Sequence, residues 1–296
     1  MANFIAEDFK RIMRGKNYTQ KLILVNSVVF VVLNILLAAT SNTTGELIVR
    51  NIGLPAGMVS SILKIWTYFT YMFVHQGFFH ILFNMLWLYW MGRIVSDLYG
   101  SQRVLIMYIF GGLAGGILFT LTATLGLIPS HSFLIGASGG VLAVMTGTAA
   151  LLPDYQIKLL LIGPVKLKYL ALVGFILSTV LDFTQNLGGK IAHVGGAAFG
   201  LIYGLQLKKG TEITDKPVAV LRTIISAFKP EKKMKVVHKN KSKNNASTKV
   251  FTGNYANLSE TERQQKVDVI LDKISQSGYD SLSKAEKDFL FTMSNR

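Results

Sequence analysis

The chain has 296 residues, half of them hydrophobic, and a formal net charge of +15. Only 16% of its residues are charged, against about 25% in an average soluble domain, and the apolar residues fall in long runs. This excludes an ordinary soluble enzyme and predicts an all-α membrane protein with several spans. The absence of cysteine excludes disulfides, thiolate catalysis and cysteine-ligated metal.

Residues 1–21 form a polar tail carrying Lys10, Arg11, Arg14 and Lys16. Leu22 to Ala39 is about the length of a spanning helix. The small residues Ala38, Ala39 and Ser41 would also suit a signal peptide, but the length of the run, with Asn26 and Asn34 inside it, favours a retained anchor. Ser41 to Phe79 is too long for an ordinary connection. Trp66, Tyr68, Phe69, Tyr71 and Phe73 in its second half suit the headgroup level, so a loop lying in the membrane interface is expected. Lys64 and the shortness of the apolar part argue against a further span there.

The second span is expected from His80 to about Met91, followed by a polar connection marked by Arg93, Asp97 and Arg103. The third runs from Val104 to Leu127 and the fourth from Ser138 to Leu152. Pro153 to Lys168 reads as a loop, and the fifth span from Tyr169 to Leu181 is short. Asp182 to Lys190 is polar, and the sixth span runs from Ala192 to Leu207. Basic residues gather in the amino tail and in the second-to-third and fourth-to-fifth connections, so the positive-inside rule puts both termini in the cytoplasm. Flanking charge of this kind explains the basic balance without nucleic acid. Spans two, four and six then run in one direction, and the residues heading them share one depth near the outer face.

Residues 208–258 read as a basic flexible linker. Val218, Leu221, Ile225 and Phe228 within it have helical spacing, which suits either a membrane-surface helix or a solvated tail. Residues 259–296 read as a small two-helix cytoplasmic hairpin. Ser259 with Glu262 caps the first helix, which carries Val267, Ile270, Leu271 and Ile274; Gly278 ends it, and Ser283 with Glu286 caps a second carrying Phe289 and Leu290. So little core predicts that it docks on something.

The chemistry-bearing residues head spans two, four and six. Gly136-Ala137-Ser138-Gly139-Gly140 is a serine among glycines, which alone is more often a turn or a close helix contact. His193, in Ala192-His193-Val194-Gly195-Gly196, is the candidate base for the Ser138 hydroxyl. Contact between them needs spans four and six to pack closely. Gly139, Ala143 and Gly147 on one and Gly196, Gly200 and Gly204 on the other are stripes that permit it, although such stripes also serve simple helix association. His80 and Asn84 share a helix face and offer donors for an oxyanion, as do backbone N–H groups at the start of the Ser138 helix. No acidic residue is placed to orient His193, Asp182 lying in a connection, so a dyad is expected and not a triad. No carboxylate lies near the two histidines on these segments, so neither a metal nor another cofactor is expected.

These motifs resemble the rhomboid intramembrane serine proteases. The resemblance rests on Gly136-Ala137-Ser138-Gly139, on His75 with His80-Ile81-Leu82-Phe83-Asn84-Met85, and on Ala192-His193-Val194-Gly195-Gly196 with Gly200. It covers 22–207 and implies a bundle of six transmembrane helices. It also implies Ser138 as nucleophile, His193 as base, and His80, Asn84 and the Ser138 amide as oxyanion donors. The implied substrates are single-span membrane proteins, cut after a small residue near the top of a helix prone to unwinding. A bacterial cytoplasmic membrane is the expected location. The sequence sets no oligomeric state.

Three positions depart from the family pattern: Trp66 is followed by Thr67 and not arginine, Ser96 stands where a glutamate usually precedes a glycine by four, and Leu142 replaces an aromatic four after the serine. A rhomboid-like pseudoprotease that binds membrane helices without cutting them is the alternative, opposed by the presence of both Ser138 and His193. A small-solute transporter is opposed by the lack of internal repeats and of a mid-membrane ionisable residue.

Overall fold

Apolar runs become helices in a membrane because each helix satisfies its own backbone polar groups where no water can. A computed structural model of the chain describes residues 2–159, 162–180, 186–215, 217–219, 223 and 259–294. These divide into two units, Met1–Lys229 and Pro230–Arg296. The first begins with α1 (Ala2–Arg14) and α2 (Tyr18–Ala38). Then come α3 (Asn42–Ile52), β1 (Leu54–Pro55), α4 (Met58–Leu63), α5 (Thr67–Thr70), α6 (Phe78–Tyr99) and α7 (Ser101–Thr124). After β2 (Phe133–Leu134) the chain forms α8 (Ser138–Leu151), the hairpin strands β3 (Gln156–Leu159) and β4 (Gly163–Lys166), α9 (Leu167–Phe175) and α10 (Leu187–Lys208). Among the described residues, α2, α6 and α7 are long and apolar enough to cross a membrane. Shorter apolar helices lie at Ser138–Leu151 and Leu167–Val180. The helical membrane class holds at this level.

Three connections differ from expectation, the last in that Leu187 to Lys190, read as polar connection, already belong to α10. Arg93 and Asp97 belong to the last turns of α6 and not to a loop. They sit an i,i+4 step apart at 3.7 Å, which the helix accommodates without cost. The chain reverses at Gly100, whose φ of +86° lies in the region that only glycine enters freely. The segment after α8 is a β-hairpin, in which Asp154 takes both Lys166 and Lys168 at 3.0 Å. The long first loop carries the short helices α3, α4 and α5 and a 3-10 turn at Tyr71–Phe73. Val59, Ile62, Leu63, Ile65 and Trp66 on and around them are exposed, as a segment at the membrane interface would present them.

The two small-residue stripes meet. A Cβ on Gly196 would collide with the Gly139 carbonyl, one on Gly200 with the Ala143 carbonyl, and one on Gly204 with the Gly147 carbonyl. Thus α8 and α10 touch backbone to backbone along three turns, the geometry that small-xxx-small stripes allow. Gly111 of α7 packs on the side chain of the same Ala143, so α7 also closes on this stripe. The core between these helices holds Met107, Tyr108, Val144, Met145 and Tyr203.

The second unit contains α11 (Glu260–Ser277) and α12 (Lys284–Ser294). Ser259 and Glu262 form a reciprocal capping box. Ile270, Leu282 and Phe289 make its small core, and Lys273 pairs with Glu286 at 2.9 Å. Of the helically spaced residues of the basic linker, Leu221, Ile225 and Phe228 lie outside the described residues.

Candidate active site

The turn before α8 is fixed from the first loop at three points. Pro55 and Leu54 pair with Phe133 and Leu134. The Gly136 N–H donates to the Tyr71 carbonyl at 2.9 Å. The Ala137 N–H donates to Nε2 of the fully buried His75 at 3.3 Å. Tyr71 is itself held by its hydroxyl, which donates to the Gly112 carbonyl on α7 at 2.6 Å. Gly136 has φ +117°, and a Cβ there would lie 2.8 Å from Cε1 of His80, so glycine is needed both for the turn and for the close passage of the ring.

Ser138 follows as the first residue of α8. Its N–H is among the helix's opening donors without an intrahelical partner, at the positive end of the helix dipole. Its Oγ lies 2.7 Å from Nε2 of His193, two turns into α10. The other ring nitrogen, Nδ1, lies 3.1 Å from the Ser178 carbonyl. A carbonyl only accepts, so Nδ1 carries the proton and Nε2 presents its lone pair to the serine hydroxyl. Ser178 belongs to a π-helical turn, Ile176–Val180, that extends α9; such turns shift carbonyls out of the α-helical ladder. A backbone oxygen therefore stands where a carboxylate would orient the ring. Sequence reading missed it because an acceptor on the main chain has no side-chain signature. Asp182, the nearest acidic residue in sequence, lies outside the described residues.

His80 and Asn84 of α6 border the same cavity as Ser138 and His193. It has a volume of about 550 Å³. Its walls are Phe79, Phe83 and Trp87 from α6, Val141, Leu142 and Met145 from α8, and Gly174, Leu177 and Ser178 from α9 and its π turn. All four residues singled out in the sequence thus face one largely apolar space. The Asn84 amide donates to the His80 carbonyl one turn back at 2.8 Å, which leaves its second N–H for the cavity. His75 and His80 meet edge to face, with ring centroids 5.0 Å apart. Nε2 of the buried His75 is taken by the Ala137 N–H, while its Nδ1 finds no hydrogen-bond partner among the described residues.

The three departures have local partners. Trp66 donates from Nε1 to the Asn51 carbonyl at 3.0 Å, and Thr67 donates from Oγ1 to the Lys64 carbonyl at 2.6 Å, so the first loop is tied to itself without the arginine. Ser96 lies 2.8 Å from the Thr19 hydroxyl on α2. Leu142 is buried against the cavity, and His193 takes its orientation from Ser178.

A family model described as the rhomboid domain matches residues 62–210. A family of unknown function (DUF6576) matches residues 255–296. Proteins named rhomboid protease GlpG from Salmonella newport (strain SL254), Salmonella typhi and Salmonella enteritidis PT4 are each 36% identical over 53 residues. That stretch is 18% of this chain and 19% of each relative, so the match spans about a fifth of the curated relatives' length.

Proposed function

Because the chain belongs to the rhomboid family, we propose that it is an intramembrane serine endopeptidase working through a Ser138–His193 dyad. The single observation that carries this reading is the 2.7 Å contact between Ser138 Oγ and His193 Nε2, with Nδ1 committed to a backbone carbonyl. The six spans would be α2, α6, α7, α8, α9 with its π turn, and α10. Both termini would be cytoplasmic, in a bacterial cytoplasmic membrane.

In this reading Ser138 Oγ attacks the scissile carbonyl carbon while its proton passes to His193 Nε2. The resulting imidazolium keeps its Nδ1–H bond to Ser178, which stabilises the charge. The oxyanion is met by the Ser138 N–H, the Asn84 amide and the His80 ring, preorganised donors in a site of low dielectric. Collapse breaks the C–N bond, and the leaving amine takes the proton from His193. Water, deprotonated by the same nitrogen, then hydrolyses the acyl-enzyme. Substrates would be single-span membrane proteins. A helix hides its carbonyls in its own hydrogen bonds, so only a segment that unwinds offers one to Ser138, and a small residue there enters the aromatic-walled cavity most easily.

In proteoliposomes with a single-span substrate, Ser138→Ala and His193→Ala should each abolish cleavage while the protein remains folded. Cleavage persisting in Ser138→Ala would refute the dyad. A wild-type chain that binds such substrates without cutting them would favour the pseudoprotease.

A further inference from the structure

We infer that α1 is an in-plane membrane anchor that lies on the anionic surface of the same bilayer the bundle crosses. The helix runs Ala2–Arg14. On a helical wheel Phe9, Ile12 and Met13 share one side, whereas Glu7, Lys10, Arg11 and Arg14 fall on the other. Phe9 is 43% exposed and Met13 40% exposed, so the described chain leaves much of that apolar side open. A soluble helix would not leave it in water, where burying each such side chain is worth about 1.5–3 kcal/mol.

What covers it follows from the tether and the charge. Only Gly15, Lys16 and Asn17 separate α1 from α2, a reach of roughly 10 Å. Tyr18 and Lys21 begin α2, the ammonium lying 5.2 Å from the ring centre. An aromatic and a cation at a span's end mark the headgroup level, so α1 cannot leave it. Met13 borders an apolar groove of about 520 Å³ that continues along α2 through Leu22, Val25 and Val29. The apolar side of α1 therefore meets the acyl region at the point where the bundle's lipid-facing surface begins. Lys10, Arg11, Arg14 and Lys16 outnumber Glu7 and Asp8, which fits anionic headgroups and not zwitterionic ones.

The chain has no cysteine, so single-cysteine variants of the full-length protein report one position each. Phe9→Cys, Met13→Cys, Glu7→Cys and Arg14→Cys would be labelled with an environment-sensitive dye. Each would be reconstituted in phosphatidylcholine vesicles with and without phosphatidylglycerol. Quenching by spin labels on lipid chains should be several-fold stronger at positions 9 and 13 than at 7 and 14, and quenching by aqueous iodide should show the reverse. The contrast should grow with phosphatidylglycerol and shrink in high salt. Equal iodide quenching at all four positions would overturn the inference in favour of a solvated helix. Disulfide cross-linking of Phe9→Cys between two chains without lipid quenching would overturn it in favour of a second copy. A contrast indifferent to phosphatidylglycerol would overturn the anionic assignment.

Discussion

Ser178 and Ser138 meet His193 through different nitrogens, and the proposed chemistry depends on which one holds the proton. The Ser178 carbonyl fixes that choice, as a carboxylate does in a triad. His75 acts one step further back. Its ring accepts the Ala137 N–H in a fully buried place, immediately before the serine. His75→Ala strands that donor, which costs about 1–3 kcal/mol. Thermal stability and turnover should both fall, and His75→Gln, which keeps an acceptor, should recover part of each. Unchanged turnover in His75→Ala would show that the Tyr71 contact alone holds the turn. Asn84→Ala should slow cleavage by about 10²-fold or more with little change in melting, the usual effect of losing one oxyanion donor.

At the scale of elements, the contact between α8 and α10 decides whether the dyad forms. Gly200 is the sharpest case, since the atom a side chain would strike is the Ala143 carbonyl, and backbone cannot rotate away. Gly200→Val should destabilise by about 3 kcal/mol, the upper end of ordinary overpacking, and should abolish cleavage; a folded, active Gly200→Val protein in a melting assay would contradict the packing. Both stripes were legible in the sequence because small residues every fourth position have one use in a membrane helix. So were the four residues that line one cavity, Ser138, His193, His80 and Asn84, and the helices and caps of the terminal hairpin. The extra turns of α6 were not, because charged residues at a helix end look like a loop when only hydropathy is read. Nor was the π turn, which depends on how Ser178 meets α10. In the hairpin, the Lys273 ammonium first, and then the Ser283 N–H, hold the Glu286 carboxyl below the usual range. A depressed folded pKa stabilises above the ordinary glutamate value of about 4.3 and is lost as pH falls through the lowered one. Hydrogen-exchange protection of α11 and α12, corrected for intrinsic rates, should therefore hold at neutral pH and decline in acid. Glu286→Gln should lower it at neutral pH and flatten the decline; the same acid decline in the Gln variant would assign it to other groups.

For the whole molecule, the end of the membrane unit falls beyond the last span. Glu212 accepts from the Tyr203 hydroxyl at 3.0 Å and from Thr214 at 2.6 Å, and lies 3.8 Å from Arg103. Truncation after Lys209 removes that acceptor and should lower the melting temperature, whereas truncation after Lys229 should keep both stability and cleavage. Loss of cleavage on truncation after Lys229 would make the hairpin part of the catalytic unit. The central claim is that one serine inside a helix bundle is made nucleophilic by one histidine. It is tested most directly by treating the intact protein in membranes with a mechanism-based serine inhibitor and mapping the adduct by mass spectrometry. The account predicts a single adduct on Ser138 that disappears in His193→Ala. An adduct on any other residue, or equal labelling of Ser138 without His193, would contradict it.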